Sequence, residues 1–180
     1  MPDVLFHVSE RAGIDVFLPR LHKSLNVAVV WALDDAHLHT YLLPRDCPRI
    51  ALFPKADTTS EDMLRFMGST TAPRVLAIES AWLKRAMQHR LYIYALPATS
   101  FELKDEVAGH YISREPVVPI KAQIIDQPLA HLAQRNVELR VMPSLWELRE
   151  AVAGSTMNFS ITRMRNASPA PAGFVSKYPL

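Results

Sequence analysis

The chain contains a single cysteine among 180 residues. No intrachain disulfide can form, so the fold must rest on packing, and such usage suits a reducing compartment. Glycine is scarce as well, with 5 against 14 prolines. Neither G-x-G-x-x-G nor G-x-x-x-x-G-K occurs, which removes the glycine-rich phosphate loops of the common nucleotide-binding folds. Long hydrophobic runs are missing. The longest, such as Val27–Ala32, fall far short of the roughly 20 residues that a bilayer-spanning helix needs. The start M-P-D-V-L-F-H-V has no basic segment before an apolar one, so no signal peptide is expected. There is no excess of one charge either: 20 basic and 18 acidic residues leave a formal +2. With no basic block or stripe, neither nucleic acid nor membrane is an expected partner. A cytoplasmic protein is the expectation, with its oligomeric state open.

What is present is ordinary for a packed protein: 49% hydrophobic and 21% charged residues. The length fits one domain. Residues 1–167 are expected to form a single globular domain. Residues 168–180, with three prolines and few core residues, are expected to form a loosely held C-terminal arm. Val4–Val8 reads as a first strand and Ser9–Arg20 as loop. Val27–Ala32 is wholly apolar, as a strand covered on both faces should be. Asp34 and Asp35 sit where helix caps sit, before a short helix Ala36–Leu42 that Pro44 ends. Strands follow at Arg49–Phe53, Arg74–Ile78, Leu91–Leu96 and Val137–Met142. Gly109–Ser113 and Val117–Ile125 read as two strands paired with each other. Helices are expected from a Ser60 cap to Met67, over Glu79–Gln88, Leu129–Arg135 and Leu145–Val152, and last over Thr156–Arg165. Strands and helices do not alternate steadily. The fold class is therefore α+β, a single mixed-sheet domain with flanking helices.

Several residues invite chemistry, each beside a plainer role. His7 and Ser9 lie two apart on a strand and so face one side. They would offer a donor pair to a ligand, or His7 is a half-buried histidine bonded to backbone. Trp31 and Tyr41 would sandwich a flat ring, or pack in the core. Pro44-Arg45-Asp46-Cys47-Pro48-Arg49 is the densest polar cluster. Asp46 would pair with one arginine and leave the other for phosphate or carboxylate. Cys47 would be activated by the arginines as a nucleophile. The third reading is a structural corner. His37 and His39 with Cys47 make a poor zinc site, because helix positions two apart diverge; no metal is expected. Glu102, Asp105 and Glu106 with His110 would serve acid–base work, or form a solvated loop. Asn158, Ser160, Arg163, Arg165 and Asn166 bear polar groups that would contact the Pro44–Arg49 corner.

Taken together, L-F-H-V-S-E, P-R, V-V-W-A-L-D-D, P-R-D-C-P-R, D-E-V-A-G-H-Y-I-S and L-W-E-L resemble an uncharacterised bacterial family of this length. The likeness runs from about Leu5 to Asn166 and implies membership, with no particular activity. More distantly, the chain resembles the ADP-ribosyltransferase-like fold. There a histidine-bearing first strand, as in L-F-H-V-S, precedes a second strand that ends in an aromatic before A-x-D. A helix with another aromatic and a later E-Y-x-S strand near P-V-x-P complete the pattern, which G-H-Y-I-S and P-V-V-P resemble. The resemblance implies an ADP-ribosyltransferase-like core in which His7 bonds a ribose, Trp31 and Tyr41 flank nicotinamide, and an acid orients the reacting ribose. This chain has histidine at 110 where the transferases place glutamate, and Trp31 where many have tyrosine; by this resemblance Glu106, on the preceding loop, would substitute for the acid. The expectation is a domain binding NAD or an ADP-ribose-like nucleotide through Ser9, Trp31, Tyr41, Arg45 and Arg49. His7, Glu106 and His110 would be its catalytic groups in an ADP-ribosyl transfer. The alternatives are a ligand- or partner-binding domain without turnover, and a Cys47-dependent hydrolase or redox sensor.

Overall fold

The computed structural model describes residues 2–22, 25–68 and 70–178. The chain divides into two compact units, each made from two segments. The first unit holds Met1–Arg45 and His89–Pro128; the second holds Asp46–Gln88 and Leu129–Leu180.

Strands β1 (Val4–Ser9), β2 (Arg20–His22), β3 (Val27–Leu33), β6 (Leu91–Pro97), β7 (Phe101–Asp105), β8 (His110–Ser113) and β9 (Lys121–Ile125) belong to the first unit. They form one antiparallel sheet in the order β7-β8-β3-β1-β6-β9, with β2 added to β3. One face carries the core, where Leu5, Val30, Tyr94, Leu96 and Phe101 pack with Phe17 from the loop before β2. Burying each large side chain contributes about 1.5–3 kcal/mol. The ladder is uneven. β1 stays in register with β6 from Val4 opposite Pro97 to Ser9 opposite Tyr92. Its register with β3 is the single pair Phe6 and Leu33. The two strands part beyond that pair, and the parting positions the site.

A 3-10 helix, Asp35–Tyr41, follows β3. Asp34 caps it as expected, its carboxylate accepting the His37 N–H at 2.9 Å. Three findings differ from the sequence reading in this unit. Gly109–Ser113 and Val117–Ile125 do not pair with each other: β8 lies between β3 and β7, and β9 lies on β6. The stretch Phe101–Asp105, read as solvated loop, is the edge strand β7. Its charges are those an outermost strand carries to discourage further pairing. β2 was not foreseen, because three residues are too few for a period to show.

The second unit contains β4 (Arg49–Phe53), β5 (Arg74–Glu79), β10 (Val137–Met142) and β11 (Asn158–Thr162), in the order β10-β5-β4-β11. β10 runs parallel to β5, and the other pairs are antiparallel. Its helices are α1 (Ser60–Asp62), α2 (Ser80–Gln88), α3 (Pro128–Gln134, from its second residue on) and α4 (Trp146–Ala153). A π-turn, Met63–Met67, extends α1. Thr59, not Ser60, is the cap, its hydroxyl accepting the Asp62 N–H at 3.2 Å. Ile50, Leu52, Val75, Ala77, Leu145 and Val152 form the core. The largest correction is at 156–165. The expected helix is instead β11, paired with β4 from Asn158 opposite Phe53 to Thr162 opposite Arg49, with a 3-10 turn at Met164–Asn166. N-F-S-I-T alternates polar and apolar with period two, which is the strand signature. Counting helical spacings among its polar residues alone concealed it.

The segment beyond 167 is bonded along one face of α4. Trp146 Nε1 donates to Ser168 O at 2.7 Å, and its ring lies 5.4 Å from that of Phe174. Arg149 donates to Ser176 Oγ at 2.7 Å and to Tyr178 O at 2.9 Å, and it pairs with Glu150. Glu150 accepts the Lys177 N–H at 2.8 Å. Positions 146, 149 and 150 share one helix face, so a single stripe holds the segment. Pro179 and Leu180 lie outside the described residues.

Candidate functional site

β1, β3 and β8 are neighbours in the first unit, and they carry His7, Trp31 and His110. His7 stands where β1 and β3 part. Its Nδ1 lies 2.8 Å from the Trp31 carbonyl oxygen. A carbonyl only accepts, so Nδ1 carries the hydrogen and a neutral ring presents an Nε2 lone pair. Phe17 covers the imidazole at 4.6 Å between ring centroids. Burial holds the His7 pKa below its ordinary 6.5; the bond to Trp31 opposes this, and the charges of Arg45 and Arg20 reinforce it. Arg45 is exposed, and its backbone N–H is fixed at 3.0 Å on Glu10, the residue after β1. Ser9 Oγ accepts the Arg11 N–H at 3.0 Å. Tyr94 donates to Arg11 O at 2.8 Å and accepts the Ile14 N–H at 3.2 Å, so it ties the following loop to the sheet.

The second group of side chains gathers around His110. Its ring centroid lies 5.4 Å from Trp31 and 6.0 Å from Tyr41. Tyr41 Oη is 3.0 Å from His110 Nε2. His22 adds an edge contact to Trp31 at 5.1 Å. Both aromatics expected to flank a ligand ring therefore contact an imidazole of the chain itself. Burial lowers the His110 pKa from 6.5; Asp105 and Asp34 pull it back, and His37 pushes it further down. Asp105 is the cross-strand partner of His110. Asp34 accepts from His37 Nδ1 at 2.7 Å, and Asp34 N–H donates to Gly109 O at 3.1 Å. Gly109 has φ of +62°, and a Cβ there would fall 2.2 Å from His37 Nδ1, so the turn before His110 requires glycine.

Register separates the two groups. Leu5, His7 and Ser9 stand opposite Leu96, Tyr94 and Tyr92. Trp31 and Leu33 stand opposite Ile112 and His110, and Phe6 stands opposite Leu33. Directly opposed residues share a face. At the β1–β3 pair His7 thus belongs to the other face from His110, and the Trp31 carbonyl joins the groups at the parting. Glu106 is exposed on the β7–β8 turn, where its carbonyl accepts the Gly109 N–H at 3.2 Å.

The proline-flanked corner has a different character. Cys47 is fully buried, and burial pushes its thiol up to about 12 despite nearby Arg49. A thiol so protonated is a poor nucleophile, which overturns the activated-cysteine reading. Arg49 belongs to the second unit, is buried, and donates to Cys47 O at 3.0 Å. Asn166 Nδ2 donates to Asp46 O at 2.7 Å, the polar contact to the corner that the sequence suggested. His37 and His39 diverge, His37 to Asp34 and His39 to Ala36 O at 3.0 Å. Sequence reasoning passed over Arg20, Glu10 and Phe17 as site residues and read Asp34 only as a helix cap. The signal for Arg20 was the Pro19-Arg20 pair ahead of a strand; the places of Glu10 and Phe17 depend on tertiary structure.

The fold and these side chains define an α+β protein with one antiparallel and one mixed sheet, carrying a histidine-rich polar cluster in its antiparallel unit. A family of unknown function (DUF6886) matches residues 6–167, so the chain belongs to that family. Neither a curated protein nor a solved structure matches it. Among the described residues, no helix is long and apolar enough to cross a membrane.

Proposed function

We propose that the first unit binds NAD or an ADP-ribose-like nucleotide where β1 and β3 part, and that it transfers or hydrolyses the ADP-ribosyl group. The observation that carries this reading is His7. Its Nδ1 is committed to Trp31 O at 2.8 Å, and burial favours the neutral ring. Nε2 is then an acceptor for a ribose hydroxyl. Arg45 and Arg20 act on the same imidazole electrostatically, and a guanidinium suits a pyrophosphate better than an ammonium does. The resemblance to the ADP-ribosyltransferase-like fold supplies the ligand class. The adjacency of the three strands that carry it lends support. Arg49, a buried member of the other unit, is left out of this site.

The test is thermal unfolding with and without millimolar NAD and ADP-ribose. Ligand at 100 times its Kd stabilises the fold by about 2.7 kcal/mol, a rise of several degrees at this size. His7→Ala should abolish the rise; no rise in the unaltered protein removes the reading. Binding without turnover is the second reading, favoured by histidine rather than glutamate at position 110. Glu106→Gln separates the two: it stops an enzyme that uses this carboxylate and leaves a binder's affinity within about twofold.

A further inference from the structure

The rings expected to flank a ligand ring contact imidazoles instead, and the strand register sets beside them a cation that the sequence reading passed over. We infer that Arg20, Trp31 and His110 form a phosphate-binding site on the sheet face opposite His7. The inference does not rest on the nucleotide reading. Arg20 and Arg45 both act on His7 by charge; Arg20 is assigned to this face, and Arg45 stays with His7.

Register builds the row. Arg20 stands opposite Val29, and His22 opposite Val27. Val27, Val29 and Trp31 alternate onto one face of β3, so Arg20, His22 and Trp31 share it. The His22 ring, 5.1 Å from that of Trp31, agrees with this. His110 joins from β8, opposite Leu33 and 5.4 Å from the Trp31 ring. Arg20 and Trp31 are diagonal neighbours across the strand pair, about 7–8 Å apart. A guanidinium on its long stem can close that gap over a bound anion.

Each member offers a donor. Arg20 is exposed and, among the described residues, has neither a hydrogen bond nor an ion pair. The Trp31 indole N–H has no acceptor among them and is not one of the enclosed polar atoms, so it meets solvent. His110 Nε2 is engaged by Tyr41 at 3.0 Å. With Tyr41 donating, the ring hydrogen sits on Nδ1 and makes a third donor. Asp34 and Asp105 act on His110 electrostatically, and Asp34 already accepts from His37 at 2.7 Å. The anion is therefore placed toward Arg20, over the Trp31 N–H, with His110 at its far end. A guanidinium and two ring N–H groups all donate, which suits an oxyanion. A phosphate group uses three donors better than a carboxylate does, because it presents three terminal oxygens and the greater charge.

The test is titration of the full chain with inorganic phosphate, read by proton–nitrogen NMR at the indole N–H of Trp31. Trp82 and Trp146 are internal controls, the latter bonded to Ser168 O. Millimolar phosphate should move the Trp31 signal saturably and leave the other two in place, and sodium chloride at equal ionic strength should not move it. Arg20→Gln should weaken binding roughly tenfold or more. Trp31→Phe, which keeps a ring and removes the donor, should weaken it about threefold to tenfold. Arg20→Gln alters an exposed side chain, so it decides the matter even if Trp31→Phe destabilises the fold. Glycerol phosphate separates free phosphate from an ester: equal affinity makes the phosphate group itself the ligand, tighter binding makes an ester the ligand, and either supports the site. No saturable movement, equal movement with chloride, or movement shared by all the indoles overturns the inference. So does unchanged affinity in Arg20→Gln, or acetate binding as tightly as phosphate. The result is separable from NAD. A Trp31 response to phosphate without a rise in Tm with NAD keeps this site and removes the nucleotide reading; the reverse pattern removes this site alone.

Discussion

Among the described residues, the enclosed arginine and glutamate side chains lie in the second unit, whereas the enclosed polar groups of the first are His39, Thr40 and Ser113. In the second, Arg149, Glu79 and Arg49 are almost wholly enclosed, at 2%, 0% and 3% exposure. Their bonds hold chain to chain: Glu79 accepts from Ser168 N and Oγ at 2.8 and 3.0 Å, and Arg149 binds the segment at 176–178. In the first, His7, Trp31, Tyr41 and His110 are half-buried. Their partners restrict the histidine tautomers, and each of these residues keeps part of its surface exposed. Formal charge differs as well: 8 basic and 10 acidic residues (−2) in the first unit, 12 and 8 (+4) in the second. Complete burial marks architecture, whereas partial burial leaves a group fit for chemistry. The more basic unit is thus not the one with the candidate site. A short run of arginines in sequence is a weaker guide than where each guanidinium ends.

The comparison is tested hardest by Arg149→Ala. Removing one partner of an enclosed, paired charge should destabilise by about 3 kcal/mol, or roughly 10 °C in Tm, as read by thermal unfolding. If Arg149 is structural, the variant's response to NAD below its Tm should equal that of the unaltered protein. A loss under 1 kcal/mol would show that its enclosure does not matter.

A smaller effect is expected from pH. His7 and His110 have pKa values lowered by burial. Such a group binds its proton more readily when unfolded, so stability is full above the unfolded value of 6.5 and is lost as pH falls from there toward the folded values. Tm should therefore decline from pH 7.5 to pH 5.5, and His7→Asn should flatten part of that slope. A Tm that rises on acidification would contradict the assignment. The smallest effect concerns Cys47. With its thiol pushed up to about 12 and fully buried, it should resist a thiol reagent at pH 8 in the native protein and react at the ordinary rate once unfolded. Fast native labelling would return the corner to the candidates for chemistry.

Much of the fold was legible along the chain. Val27–Ala32 and Arg49–Phe53 stand out as strands because they are apolar runs, Val137–Met142 because apolar and polar residues alternate, and the Asp34 cap follows from side-chain geometry within four residues. β7 and β11 escaped because their charged and hydroxyl residues resemble loop and helix faces until a partner strand is known. For the site, His7, Trp31, Tyr41 and His110 were visible as unusual residues in order, and the structure brings the last three into contact.

Local sequence by itself determined the strand and cap residues, the scarcity of covalent and glycine-loop devices, and membership of the family. Tertiary structure alone decided that β1 and β3 part after one pair, that His7 meets a carbonyl there, that Tyr41 meets His110 rather than an open slot, and that Cys47 is fully buried. The reason is range: propensity and capping act within a few residues, whereas burial and hydrogen-bond pairing act between residues such as 41 and 110 that only the folded chain brings together.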